Sequence, residues 1–376
     1  MMLSTIAALA AGLVADGSVR VEARGGTTVG GQDPSSIGVS GDLQGRVSDP
    51  DGVLRFGVAP SAVLAQGSQL FVRGFAEGDL RFRNGAWARV RQALGYGSMD
   101  LSALAPGPAR GPVQPPAGSR FVTVEESNTS LELDVTADRR LRMTGSAAWI
   151  VAGGATADGR AAFPLSRGPL LRASADWAAT RLDTLRLQLE AFDYRYSDNR
   201  RASVASLAAG WRTQLERGTQ LSVSLGPGIG RSRSKDRPAA TVVYPVGAAD
   251  LRTTPWRDVS ASIGASVEPL GDPLSGDLVE RGSARAVVTW DRHRVVALSA
   301  RVIGSVALTS GTGSPTSPQA GDRYLQGELS ATVPLGARSS AAVGARAAFL
   351  SRPLLDQPTT QWVAFASYVA QVPLLR

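Results

Sequence analysis

From Val53 to the end of the chain, apolar and polar residues alternate at every second position. The pattern is cleanest where Leu131, Leu133 and Val135 interleave with Glu132, Asp134 and Thr136. After Ala137-Asp138-Arg139 it resumes, with Leu141, Met143, Ala147 and Trp149 set against Arg142, Thr144 and Ser146. A period of two places successive side chains on opposite faces of a strand, so each segment has one apolar and one polar face. Two such segments around a short polar turn make a hairpin. The device recurs through residues 171–191, 205–229, 259–267, 288–306 and 325–374. These segments run about 11 to 15 residues, roughly twice the usual soluble strand. A tilted strand that crosses a bilayer needs about 9–11.

Connections alternate as well. Short turns fall near Asp49–Gly52, Asn84-Gly85, Asp138, Asp183, Arg217, Arg292 and Ala337. Between them lie longer polar loops at Leu104–Ser119, Gly153–Gly168, Ser197–Arg200, Arg231–Pro238, Gly271–Gly282, Thr309–Asp322 and Ser351–Thr359. Tight turns at one rim and long loops at the other suit an all-β, transmembrane antiparallel up-and-down β-barrel of about 18 strands, with 14 or 16 as alternatives. Val19–Val47 and Ala239–Arg252 are the weakest strands on this pattern. Phe75 and the pair Gly74/Gly78 predict a bulge within Leu70–Arg83. Phe192, Tyr194 and Tyr196 switch face relative to Leu185–Leu189, which reads as a second bulge or as aromatic residues at the outer rim. A propeller, suggested by Trp290-Asp291, needs four short strands per repeat where this chain has two long ones.

Composition narrows function. Mean hydropathy is −0.03, with no run of 18 apolar residues, which excludes a helical membrane protein and leaves a barrel open. No cysteine and one histidine exclude Cys-ligated and multi-His metal sites. The net charge is +8, but the arginines are spread along the chain, against a nucleic-acid patch. The one histidine, His293, lies in a tight turn beside Asp291 with no serine partner, so it reads as a solvated turn residue and not as a catalytic base. Gly226–Gly230 belongs to a strand, which rules out a dinucleotide loop. No catalytic residue, cofactor or metal site is expected. Met1–Ala15 reads as a signal peptide, partial or mis-started, with cleavage after Ala10 or Ala15, leaving residues 16–376 as one barrel domain.

If the apolar face meets outer-membrane lipid, the other lines the bore. Arg142, Arg172, Arg186, Arg212, Arg285, Arg301 and Arg346 then point inward, with Glu132, Asp134, Asp176, Glu190, Glu268 and Glu328. Arg73, Arg81, Arg89 and Arg91 join them near Asp79. The arginines outnumber the acids, and a positive bore favours anionic solutes. The same charges could instead pair across strands and stiffen the wall. Trp149, Trp177, Trp211, Trp290 and Trp362 fall on the apolar face, the place of an interfacial girdle. Tyr194, Tyr196 and Tyr324 are the candidates for an inward track that stacks on sugars.

The segment Arg201–Ser234 has an apolar strand ending in Gly-Trp-x-x-Gln-Leu, a tight turn, Thr-x-Leu-Ser and a glycine-rich strand. It resembles Gram-negative outer-membrane β-barrel porins of the kind associated with exopolysaccharide export systems. The resemblance implies a channel in the cell outer membrane, an anionic glycan as cargo and periplasmic polysaccharide-export components as partners. The alternative is a non-conducting barrel for structure, adhesion or docking. Barrels of this kind usually end in an aromatic residue. Here Trp362, Phe365 and Tyr368 lie upstream of Val372–Arg376.

Overall fold

In hydrocarbon every backbone N–H and C=O must find a partner within the protein, and a strand has two edges to satisfy. Closure into a barrel satisfies both. The computed structural model describes residues 13–29, 35–48, 52–65, 67–82, 85–100, 121–162, 164–216, 218–234, 237–271, 278–292, 295–310, 323–351 and 359–375. Eighteen strands form one closed sheet. They are β1 (Leu13–Val29), β2 (Ser36–Ser48), β3 (Gly52–Ala65), β4 (Gly67–Arg81), β5 (Ala86–Asp100), β6 (Phe121–Thr136), β7 (Leu141–Gly154), β8 (Ser166–Ala178) and β9 (Asp183–Tyr196). The second half comprises β10 (Arg201–Glu216), β11 (Thr219–Ser234), β12 (Arg237–Trp256), β13 (Val259–Gly271), β14 (Leu278–Arg292), β15 (Val296–Ser310), β16 (Arg323–Gly336), β17 (Ser339–Ser351) and β18 (Thr359–Leu375). Each is antiparallel to its sequence neighbours, and β1 closes the ring by pairing with β18 from Ala15↔Leu375 to Val29↔Thr360.

The start of β1 and the end of β18 lie at one rim, here termed inner; the opposite rim is outer. At the inner turn after β6, Asp138 accepts backbone N–H bonds from Arg140 (2.6 Å) and Leu141 (2.8 Å). These bonds hold its carboxyl below the usual aspartate range. A single helical turn, α1 (Ala157–Ala162), sits at the outer rim after β7, where Thr156 caps it by accepting the Gly159 N–H at 3.0 Å.

Large apolar side chains cover the outside. Leu225, Leu329 and Trp362 leave 67%, 65% and 60% of their surfaces exposed, which only a lipid surrounding makes favourable. Trp149, Trp177 and Trp211 are exposed on that face too, and Trp290 is half-buried there. Trp256, at the inner end of β12, joins them at 70%.

Several expectations need correction. The bulge in β4 is absent: its register runs unbroken against β3 and β5. Phe75 simply faces inward, over Gly57, where a Cβ would come within 2.6 Å of its ring. β9 also holds its register, so Phe192, Tyr194 and Tyr196 keep the inward face of Arg186 and Glu190. What changes there is the outside, where Asp193 and Arg201 pair at 2.6 Å beyond the apolar band. The loop expected at Arg231–Pro238 is strand on both sides, with β11 ending at Ser234 and β12 starting at Arg237. The connection at Ser197–Arg200 is a tight turn closed by Tyr196 N–H to Arg200 C=O at 3.0 Å. Met1–Ala15 lies outside the described residues as far as residue 12, and Leu13–Ala15 open β1. His293 and Leu104–Ser119 also lie outside them.

Candidate functional site: the bore

Side chains from eight consecutive strands, β6 to β13, line one cavity of about 330 Å³. Only the concave side of a curved sheet can gather so many, so this face is the bore. Glu132, Arg172, Glu190 and Glu268 project into it, with Ser206, Ser224 and Ser266 as its small-residue wall.

Toward the inner rim a row of charges runs from β6 to β10, one side chain per strand. Arg142 on β7 grips Asp134 on β6 through its Nε and Nη2. Arg186 on β9 grips Asp176 on β8 at 2.5 Å. Opposite charges alternate this far, and then Arg212 on β10 follows Arg186 directly. Arg212 and Arg252 on β12 form no ion pair among the described residues. Arg186, Arg212 and Asp250 share a smaller cavity of about 170 Å³ with Ser222 and Ser224.

Elsewhere the charges interlock. Arg55 reaches Glu77 at 2.6 Å and Asp79 at 2.9 Å, and Arg89 reaches Asp79 at 2.6 Å and Glu132 at 3.8 Å. Arg172 meets Glu190 at 2.9 Å. Arg285 on β14 spans β13 to meet Asp250 on β12 at 2.7 Å. It does so over Gly264, where a Cβ would lie 2.4 Å from the Asp250 carboxylate. Glu328 sits in register between Arg301 and Arg346. It bonds Arg346 at 2.9 Å, and Arg301 is left without an ion pair among the described residues.

The bore changes character along its length. Toward the inner rim, the Arg142 and Arg285 side chains keep 58% and 55% of their surfaces open. At the outer end of β9–β14 a group of inward side chains is buried and apolar. Tyr196, Ala202, Val204, Tyr244 and Leu278 form one cluster, with Phe192, Tyr194 and Val242 packed on it. Phe192 and Tyr194 stack at 4.8 Å between centroids. Tyr196 and Tyr324, expected as stacking candidates, are buried to 6% and 4% exposure and present no open face.

The sequence model of the EpsX exopolysaccharide export family matches residues 93–372. The chain belongs to that family. No curated protein matches it. Among solved structures this EpsX-family barrel is similar to OccK3 (OpdO) of Pseudomonas aeruginosa at 14% identity, covering 98% of each chain with a TM-score of 0.50. It is similar to Pseudomonas aeruginosa OccK2 (OpdF), solved in complex with glucuronate, at 13% identity over 96% of this chain and 98% of that one, TM-score 0.53. The FrpB iron transporter of Neisseria meningitidis gives a TM-score of 0.56 at 11% identity, over 92% of this chain and 64% of that one. At these identities the likeness establishes the fold: a porin-like barrel of the outer membrane. Its family is an exopolysaccharide export family.

Asp250, Arg252 and Tyr244 went unseen in the sequence. They lie in Ala239–Arg252, where Pro245 interrupts the alternation. The only available signal was that Tyr244, Val246, Ala248, Asp250 and Arg252 share one parity.

Proposed function

We propose that this chain is the outer-membrane conduit of an exopolysaccharide export system and that it passes an anionic glycan outward from the inner rim. The observation that carries this reading is the set of arginines, Arg212, Arg252 and Arg301, that face the bore without a carboxylate partner among the described residues. Arg46 and Arg81 share that condition elsewhere on the wall, and Glu268 is an inward acid without an ion pair among the described residues. Fixed guanidiniums along a narrow bore attract anions, and their planar forks suit carboxylates. The glucuronate complex of the similar OccK2 barrel supports an acidic sugar as the chemistry to test first. Serines and glycines on β10–β13 leave room for a chain to slide, and Trp149, Trp177, Trp211, Trp290 and Trp362 would hold the barrel at the two interfaces.

Reversal potentials across a planar bilayer in a KCl gradient test the selectivity. The wild type is expected to prefer anions, and Arg212→Glu with Arg252→Glu and Arg301→Glu to move the preference toward cations. Cation preference in the wild type, or no shift in the triple variant, overturns the anionic cargo. Surface polysaccharide that persists in a deletion strain overturns the export role. A non-conducting barrel is favoured by one observation, the apolar packing at the outer end.

A further inference from the structure

The apolar packing at the outer end coincides with a break in the barrel wall. β12 pairs with β13 only from Gly247↔Val267 to Trp256↔Val259. Above Gly247, β12 pairs with β11 alone, through Val246↔Gly226 to Arg237↔Ser234. On the other side of the seam, Glu268–Gly271 of β13 pair with β14 alone. The ladder stops for a chemical reason. Pro227 and Pro245 face each other across β11 and β12, and the β12–β13 register, carried two residues further, would set Pro245 opposite Pro269. Three prolines thus lie at one level on three adjacent strands. None has an N–H to give, so the sheet is weakened along that line. The β10–β11 pairing also skips between Ser206↔Gly228 and Ala209↔Leu225, flanking Pro227.

Above the proline line, the freed half of β12 turns its inward side chains onto the neighbouring strands. Tyr244 lies across β11 on Gly228 and Gly230, where a Cβ on Gly230 would fall 1.5 Å from the tyrosine hydroxyl and 2.5 Å from Leu278 of β14. Tyr244 is only 4% exposed, and its hydroxyl has no hydrogen-bond partner among the described residues, like that of Ser232 beside it. An unsatisfied buried hydroxyl penalises the closed packing, so a second arrangement with both hydroxyls in water competes with it.

The geometry points to a gate. The outer half of the β11–β12 hairpin swings about Pro227, Pro245 and Pro269, and it closes the bore when Tyr244 and Val242 pack against β9, β10 and β14. This rests on the barrel being a conduit, and its readout is the passage of small ions, which is independent of cargo and of charge preference.

Two variants test it by single-channel recording, with heat-modifiable migration on a gel to establish folding. Tyr244→Gly is expected to raise unitary conductance about twofold or more by removing the stopper. The same change at Tyr368, on the lipid face, is expected to leave it alone. Because the chain has no cysteine, Tyr244→Cys with Leu278→Cys can be tied by a short bis-methanethiosulfonate reagent without other reaction. Tying β12 to β14 is expected to hold the low-conductance state, and a reductant to restore the larger openings. Conductance in Tyr244→Gly equal to the wild type, including none in either, overturns the gate. Identical currents from the tied and reduced double variant also overturn it, since a fixed constriction would need no swing.

Discussion

Between β3 and β9, guanidinium–carboxylate contacts cross most strand pairs on the bore side, as in Arg55–Glu77, Arg89–Asp79, Arg142–Asp134 and Arg186–Asp176. Between β10 and β13 no adjacent pair is tied in this way among the described residues. The inward positions there are Ser206, Gly210, Ser222, Gly228, Ala248 and Ser262, and the prolines interrupt the ladders. The first wall is tied by charge across most of its strand pairs. The second has a split seam and two arginines without acid partners among the described residues. The contrast teaches that one barrel can tie one arc by charge and leave another to glycine, serine and proline, because the two kinds of residue fall on separate strands.

Glycine substitutions test the contrast most severely. A Cβ on Gly226 would lie 1.9 Å from the Leu207 carbonyl oxygen, a backbone atom that cannot step aside. Gly226→Val is expected to cost about 3 kcal/mol or more, seen as loss of the heat-modifiable folded band. Gly145→Val on β7, with nothing within 4 Å, is expected to fold as the wild type does. A folded, fully stable Gly226→Val barrel would mean that the β10–β11 approach at Leu207 gives way to a side chain.

Charge removal is the next test. Arg89→Ala strips a partner from Asp79 and Glu132 and is expected to lower unfolding stability in urea by about 2 kcal/mol, the scale of a hydrogen bond to a charged group. Arg212→Ala removes no ion pair and is expected to stay within about 0.5 kcal/mol of wild type, while weakening anion preference. Equal stability losses would mean that the second arc is as tied as the first.

The smallest effect belongs to the inner turn. Asp138 titrates below its unfolded value because two backbone N–H groups bond its charged form. Its stabilisation is present above the unfolded pKa of about 4 and disappears as pH falls through the lower, folded value. Asp138→Asn is expected to be slightly less stable than wild type at neutral pH and equal to it in strong acid. A difference that grows on acidification would contradict the assignment.

How far the sequence spoke depended on whether side chains or backbone carried the message. Strand number and the closed fold followed from parity, since one residue in two must meet lipid. Phe75 misled, because a large aromatic on a polar face suggests an irregular strand, whereas for Phe192 the alternative of aromatic residues at the outer rim holds. In fact each ring occupies inward space, Phe75 over a facing glycine and Phe192 in the apolar cluster at the outer end. The break between β12 and β13 was hidden because Pro227, Pro245 and Pro269 are far apart along the chain and meet only once register is known. The ion pair between Arg285 and Asp250 was hidden for the same reason, since it passes over an intervening strand.

The seam between β1 and β18 carries a different consequence. Ala15 finds its partner in Leu375, so β1 is completed only by β18, far along the chain. Until that meeting, every partial chain exposes two raw edges, each able to template another molecule. Contacts so distant along the chain are slow to form. Such a polypeptide therefore has to be kept unpaired in transit and closed only at its destination, and a chain cut short before β18 has no intermediate in which to rest.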